Sequence, residues 1–256
     1  EARFVARICA GLGVAHSILG ISWREVPTTA IQEKARQQRY RLLGYWAEDR
    51  ALEALATAHH ADDQAETLLM RLARGSGVRG LAAIRPRSAT PGSHVRLVRP
   101  LLGWRRAELE EICAGAGIAP VSDPSNQDER FERIRIRRAL AQADWLDPAA
   151  VARSAANLAD ADAALDWATR NQWKQAVSER KGVLRYLPGE APNEIHRRII
   201  ARAIRRLATE GEPEMRGFEL ERLLRELKEG RVSTIRGVRC SGGSEWRFAA
   251  ATPRRT

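Results

Sequence analysis

The segment 54–73 restricts the fold more than any other part of the chain, because a short apolar run passes into a polar turn and then into an amphipathic helix. Residues 54–58, Ala-Leu-Ala-Thr-Ala, show no polar alternation, which is typical of a strand buried on both faces of a parallel sheet. A helix is predicted from about residue 62 to residue 73. The turn at 59–63 would therefore lie at the carboxyl end of a strand, where open α/β sheets build their sites.

Neighbouring segments extend this α/β prediction. Residues 14–21 and 95–98 are predicted to be further strands, and helices are predicted over 1–12, 29–50 and 104–116. Together they indicate a Rossmann-like domain with a parallel sheet over residues 1–143. Residues 144–256 are predicted to form a second, mostly helical domain, a small α+β unit. Its elements would be a linker with one long helix over 148–180, helices over 192–209 and 216–229, and a terminal hairpin over 233–250.

The positive charge of the chain suits a polyanionic partner. Lys and Arg number 43 against 32 Asp and Glu, so the net charge is +11. The excess lies in residues 1–140 and 182–256, on either side of a slightly acidic connector. Such lobes suit nucleic acid, although solvated arginine surfaces without a partner would give the same composition. On the helix predicted over 192–209, Arg198, Arg202 and Arg205 share one face and are predicted to contact nucleic acid.

Composition argues against several classes of protein. No apolar run reaches the roughly 18 residues of a membrane span. Cys9, Cys113 and Cys240 are far apart and form no C-x-x-C pair. This argues against a disulfide framework, a zinc ribbon and a cysteine-held iron–sulfur cluster. A reducing cytoplasm is the expected location.

The densest group of chemically useful residues lies at 57–67, Thr-Ala-His-His-Ala-Asp-Asp-Gln-Ala-Glu-Thr. Asp63 and Glu66 share a helix face near the helix N-terminus, where the dipole favours ionised carboxylates. Such a pair can hold a cationic substrate or a divalent metal, or can simply stabilise the helix end. His59 is close enough to carry a proton or to bind phosphate. No zinc site is predicted, because His-x-x-x-Asp without cysteine is a poor zinc pattern.

Two further features of the sequence indicate anion-binding sites. Arg39 falls within the apolar arc of the helix predicted over 29–50, where a guanidinium needs either a carboxylate in a structural ion pair or a phosphate. Residues 74–80 form a glycine loop flanked by arginines. Arg74, Gly75 and Gly77 could bind phosphate there, although glycines also simply end helices.

Five ordered blocks carry a resemblance to a known family. They are Ala35-x-x-x-Arg39-Tyr40, TAHHADDQAET at 57–67, RLARGSGVRGL at 71–81, RPLLGWRRAEL at 99–109 and DPSNQDERFERIRIR at 123–137. These blocks resemble the tRNA(Ile)-lysidine synthetases, which are PP-loop (N-type ATP pyrophosphatase) ligases. Beyond about residue 140 the resemblance rests only on the layout of a helical linker and a small tRNA-contacting domain.

The resemblance implies a reaction and its partners. ATP, with Mg²⁺, would adenylate the C2 oxygen of the wobble cytidine in tRNA(Ile) with a CAU anticodon, and L-lysine would displace AMP. Asp63 and Glu66 would then bind lysine, and Arg39 and His59 would address the adenylate or pyrophosphate. The arginines after the Asp-Pro-Ser-Asn turn are candidates for tRNA binding: Arg133, Arg135, Arg137 and Arg138.

The sequence departs from the family pattern in one place. The family's Ser-Gly-Gly-x-Asp-Ser loop, between a strand and a helix, is missing ahead of Ala35. Ser241-Gly242-Gly243-Ser244 is followed by Glu245 and lies in the predicted hairpin, so it does not replace that loop. We therefore expect a fragment that lacks the first strand and the loop, about 40–50 residues in all, and that is inactive by itself.

Two other functions compete with this interpretation. PP-loop tRNA thiolases share the fold, but they generally need paired cysteines or a catalytic cysteine. A non-catalytic RNA-binding protein on a degenerate PP-loop scaffold is the second alternative. The set formed by Asp63, Glu66 and Arg39 argues against such decay, because a degenerate site has no physical need for it.

Overall fold

The computed structural model of the chain describes residues 2–23, 28–29, 31–120, 130, 132–208 and 215–251. Two compact units form, one from residues 1–75 with 80–157 and the other from residues 76–79 with 158–256. In chain order, the helices and strands that begin before residue 150 are α1 Ala2–Gly11, α2 Ile31–Asp49, β1 Ala54–Ala56, α3 Ala61–Ala73, α4 Val78–Leu81, β2 Arg87–Ala89, β3 Arg96–Val98, α5 Arg106–Gly115, α6 Glu132–Gln142 and α7 Pro148–Ala176.

The sheet of the first unit is mixed. Its strand order is β1-β3-β2; β1 pairs with β3 in parallel, with Leu55 opposite Leu97, whereas β2 runs antiparallel to β3. Leu97 on the central strand is buried. The predicted α/β architecture with a parallel strand pair is confirmed, and β2 is an addition that the sequence did not suggest.

Two strand predictions in this unit are wrong. Residues 14–21 form no strand, and Val14 and Ile18 are exposed. No strand among the described residues hydrogen-bonds to this segment, and a strand is stable only with such a partner. β1 is not buried on both faces, because it lies at the edge of the sheet and Ala54 and Ala56 are exposed.

Helix α2 packs through a face different from the predicted apolar arc. Its buried residues are Tyr40, Gly44 and Ala47. A Cβ at Gly44 would lie 2.6 Å from Cβ of Ser93, so glycine permits this close approach. One turn later, the Glu48 carboxylate accepts hydrogen bonds from the Ser93 hydroxyl at 2.5 Å and the backbone N–H of His94 at 3.1 Å.

The second unit joins the end of α7 to a five-stranded antiparallel sheet and two helices. Its further elements are β4 Val177–Arg180, β5 Val183–Tyr186, α8 Asn193–Leu207, α9 Gly217–Lys228, β6 Val232–Ile235, β7 Val238–Ser241 and β8 Trp246–Ala250. The strand order is β4-β5-β8-β7-β6. Tyr186, Trp246 and Phe248 pack with Ile199 of α8 and Leu227 of α9 to form the core.

Tight turns account for the strands that the sequence analysis missed. The long helix ends at Ala176 rather than near residue 180, and β4 turns into β5 through Lys181 and Gly182, which have φ values of 53° and 74°. The predicted hairpin likewise contains an additional turn at Arg236 and Gly237, with φ values of 48° and 70°. Positive φ at both central residues is the requirement of the two-residue turns that match strand twist.

Among the described residues, no helix is both long enough and apolar enough to cross a membrane.

Candidate active site

The polar corner between β1 and α3 is fixed from both sides. The backbone N–H of Thr57 donates to the carbonyl of Val98 on the neighbouring strand at 3.0 Å, which extends the parallel pairing beyond β1. The backbone N–H of His60 donates to Oδ2 of Asp63 at 3.0 Å, so this carboxylate caps the helix. The site residues are therefore held on a rigid strand-to-helix connection.

The two acids predicted on one face of α3 do meet there, and arginines of α6 contact them. Nε of Arg133 donates to Glu66 at 2.5 Å, and its Nη2 donates to Asp63 at 2.6 Å. Nε of Arg137 donates to the other oxygen of Glu66 at 2.6 Å. Glu66 is only 1% exposed, so its charge is balanced almost entirely by these two guanidinium groups. The hydrogen bond to Glu66 raises the pKa of Arg137.

This placement revises the prediction for the arginines of α6. Arg133 and Arg137 are four residues apart and face α3 rather than a phosphate backbone, whereas Arg135 and Arg138 are exposed. Helical spacing separates the two pairs, because only residues three or four apart share a face. The Asp-Pro-Ser-Asn turn at 123–126 lies outside the described residues.

Asp62 belongs to a second network of hydrogen bonds and ion pairs, which was not predicted from the sequence. Its carboxylate accepts the backbone N–H of Arg106 at 2.8 Å and contacts Nη2 of Arg105 at 3.3 Å. Burial acts to raise the pKa of Asp62, but these hydrogen bonds outweigh it and the pKa is lowered. Arg105 also reaches Asp147 at 3.2 Å, and Asp147 accepts the backbone N–H groups of Ala149 and Ala150 at the start of α7.

His59 is held as a neutral imidazole. Its Nδ1 lies 2.9 Å from the hydroxyl of Thr57. Burial lowers the pKa of His59; Asp63 opposes this shift, and nearby arginines, including Arg99 and Arg133, add to it. This lowered pKa favours the uncharged ring, which is the form that accepts a proton.

Arg39 is exposed rather than buried, which corrects the prediction of a core-facing guanidinium. It lines a cavity of about 370 Å³ together with Leu42, Leu43 and Trp46 of α2, and Leu19 and Ile21 face them. Within the described part of the chain, no carboxylate pairs with Arg39. The described residues therefore give Arg39 no ion-pair partner, and an anionic ligand at this cavity stays a prediction.

Two residues of the glycine loop after α3, Arg74 and Gly75, already have structural roles. Arg74 forms an ion pair with Glu132. Gly75 has φ of +66°, so it ends α3, whereas a Cβ at Gly77 would meet nothing within 4 Å. Of the three predicted phosphate-binding residues, one therefore has a carboxylate partner already and one has a conformational role.

Comparison with known proteins identifies the family of the chain. Residues 1–144 match the PP-loop domain family. The tRNA(Ile)-lysidine synthase of Novosphingobium aromaticivorans is 45% identical over 258 residues, which cover 100% of this chain and 78% of that protein. The enzyme of the same name from Zymomonas mobilis is 42% identical over 257 residues, covering 100% of this chain and 77% of that protein. The chain belongs to the tRNA(Ile)-lysidine synthase family.

A more distant likeness concerns a solved structure. The U34-tRNA thiolase NcsA from Methanococcus maripaludis overlays 60% of this chain and 53% of its own length, with a TM-score of 0.47 and 16% identity. In this lysidine synthase family member, Cys9, Cys113 and Cys240 are separate free thiols. Burial raises the pKa of Cys240 to about 12.

No group of three or more His, Cys, Asp or Glu side chains in the described ranges could hold a metal ion. Asp63 and Glu66 contact arginines instead.

In the second unit, the three predicted tRNA-binding arginines have different surroundings. Arg198 is 9% exposed and lies among Asp162 at 2.5 Å, Asp166 at 2.5 Å and Glu194 at 2.8 Å. Burial acts to lower its pKa, but the hydrogen bonds from its carboxylate partners raise it. Arg198 therefore joins α7 to α8 rather than facing RNA, because the acids of α7 attract it inward. Arg202 and Arg205 are exposed, as predicted for a charged surface.

Proposed function

We propose that this chain joins L-lysine to C2 of the anticodon wobble cytidine of tRNA(Ile), by way of a tRNA adenylated with ATP. Membership of the tRNA(Ile)-lysidine synthase family and the acid pair on α3 support this proposal. The CAU anticodon and lysine as the amino substrate follow from the family resemblance.

The observation that carries the proposal is the contact of Asp63 and Glu66 with the Arg133 guanidinium at 2.6 and 2.5 Å. A pair of carboxylates that holds one long cationic side chain can hold another. The ε-ammonium of lysine has the same charge and a pKa near 10.4, so it would arrive protonated. Lysine that replaced Arg133 would leave the charge balance around Glu66 unchanged.

Amine attack then requires the removal of one proton from the ammonium. The neutral imidazole of His59, hydrogen-bonded to Thr57 at 2.9 Å, is suited to accept or relay it. Asp63 and Glu66 would hold the amine in place while it loses its charge. We assign these roles to His59, Asp63 and Glu66.

The nucleotide and pyrophosphate would lie against the cationic residues. Arg39 at its apolar cavity fits a nucleoside with an attached phosphate, because Leu42, Leu43 and Trp46 supply apolar walls beside one guanidinium. The predicted anion site at Arg74, Gly75 and Gly77 stays a prediction, because Arg74 already pairs with Glu132. ATP supplies the adenylate that makes the C2 oxygen a good leaving group. We propose that Mg²⁺ is carried by the nucleotide phosphates.

The two predicted domains would have different roles. Residues 1–143 would carry catalysis, and residues 144–256 would form a helical linker and a tRNA-contacting domain. The exposed arginines Arg135, Arg138, Arg202 and Arg205 would contact the RNA phosphates. The cytoplasm, where ATP and tRNA are present, is the proposed location.

The test compares lysine transfer to tRNA(Ile) with tRNA binding in Asp63→Asn and Glu66→Gln, in a protein that carries the family's Ser-Gly-Gly-x-Asp-Ser segment ahead of this chain. We expect transfer to fall by about 100-fold or more while the dissociation constant for tRNA stays within about twofold, because a lost ion pair with the amino substrate costs about 3 kcal/mol. Glu132→Gln removes a partly exposed acid that pairs with Arg74 and is the matched control. Transfer at the wild-type rate in both variants would disprove the assignment.

A further inference from the structure

The second unit carries an exposed surface on α7 that combines aromatic and cationic side chains. At 100° per residue, Trp167, Arg170, Trp173 and Lys174 fall within about 120° of the helix circumference. Trp167 is 62% exposed, and Arg170 and Lys174 are exposed as well. This surface therefore offers an exposed aromatic ring beside two cations of the same helix.

Packing and a cation–π contact hold Trp173, at one edge of this surface, in place. The Trp173 side chain packs against the core of the second unit, and the guanidinium of Arg202 on α8 lies 4.6 Å from its ring centroid. Arg202 is exposed, so its position above the ring leaves it accessible. The stack is therefore formed in advance and loses little side-chain freedom when something binds to it.

The net charge of this surface indicates which kind of partner it binds. The acids nearest in sequence to this surface already pair with other cations: Asp162 and Asp166 contact Arg198 at 2.5 Å, and Glu179 contacts Arg206 at 2.6 Å. Arg170, Lys174 and Arg202 thus present net positive charge beside two indole rings. Single-stranded RNA offers both matching groups, because its unpaired bases stack on aromatic rings and guanidinium planes while its phosphates contact cations.

We propose that Trp167 and the Trp173–Arg202 stack bind an unpaired nucleotide of the RNA substrate, with Arg170 and Lys174 at the adjacent phosphates. This inference rests on the proposed function, because it takes RNA as the substrate. It adds a base-binding site in the second unit. Base-paired RNA keeps its bases stacked inside the helix and cannot use the site in this way.

The experiment measures the affinity of the complete chain for two RNAs: a hairpin with an unpaired loop and a blunt duplex of the same length. The variants are Trp167→Ala, Trp167→Phe and Arg202→Lys. Phenylalanine restores a ring that can stack, and lysine keeps the charge but lacks the planar group. Arg225→Lys is the matched control, since Arg225 is also an exposed helical arginine of the second unit.

We expect Trp167→Ala and Arg202→Lys to weaken hairpin binding by about fivefold or more, because stacking of one base contributes about 1 kcal/mol or more. Trp167→Phe and Arg225→Lys should stay within about twofold of wild type, and duplex affinity should be the same in all variants. Equal losses for hairpin and duplex, or wild-type hairpin affinity in Trp167→Ala, would overturn the proposal. If lysidine still forms at the wild-type rate in that last case, only the base-binding site fails and the proposed function stands. A wild-type chain that binds neither RNA would overturn both.

Discussion

Arg133 on α6 donates to the Glu66 carboxylate on α3 at 2.5 Å, although the two residues are 67 positions apart in the chain. Arg137 completes the pairing of the same carboxylate at 2.6 Å. The residue proposed to hold the amino substrate is therefore also the main electrostatic connection between α3 and α6. Loss of its charge should affect stability as well as activity.

Glu66→Gln should lower the free energy of unfolding by about 2 kcal/mol, because it leaves two guanidinium groups without their buried partner. The loss is smaller than for a fully buried pair, since Arg133 and Arg137 are partly exposed and water compensates in part. Urea denaturation measures the change. Glu132→Gln, which removes an exposed pair with Arg74, should cost less than about 1 kcal/mol. Equal losses in the two variants would show that the burial of Glu66 has no energetic role.

Arg198→Gln should lower the free energy of unfolding by about 3 kcal/mol. The substitution would leave Asp162, whose side chain is buried, without its guanidinium partner. Arg225→Gln, at an exposed position of α9, should change stability by less than about 0.5 kcal/mol. Thermal or urea unfolding compares the two variants. A small effect at Arg198 together with weaker RNA binding would restore its predicted role as an RNA contact.

The buried histidine of the second unit should make stability depend on pH. Burial, with a smaller contribution from Lys228, lowers the pKa of His196, whose Nδ1 lies 2.9 Å from the Tyr186 hydroxyl. The unfolded chain therefore binds a proton more readily than the folded one, and stability falls as the pH drops below about 6.5. His196→Gln should flatten the pH dependence of unfolding below about pH 6.5. The same change at exposed His16 should leave the curve unaltered, and a wild-type curve without this slope would contradict the account.

Local patterns in the sequence were sufficient to predict α3, α8 and α9 and the shared face of Asp63 and Glu66. Each depends on residues within three or four positions of one another, where helical spacing alone determines the neighbours. The parallel pairing of β1 with β3 could also be predicted, because the strand-turn-helix order requires a crossover connection.

The remaining features depend on contacts between distant segments. The spacing of Arg133 and Arg137 marks them as one helix face, but only the packing of α6 against α3 gives that face an acidic partner rather than a phosphate. Arg198 has the same helical spacing as Arg202 and Arg205, and it is buried because Asp162 of α7 lies opposite. β4 and β5 were missed because helical propensity continued past Ala176, although Lys181-Gly182 is a recognisable hairpin turn.

The most direct test of the account separates adenylation of tRNA(Ile) from lysine transfer in the same protein. The wild type and Glu66→Gln would be compared in a protein that carries the family's strand–Ser-Gly-Gly-x-Asp-Ser–helix segment ahead of this chain. With that segment, we expect the wild type to form lysidine and Glu66→Gln to accumulate adenylated tRNA without lysidine. Lysidine formation by Glu66→Gln at the wild-type rate would contradict the central claim that the carboxylates held by Arg133 are the binding site for the amino substrate.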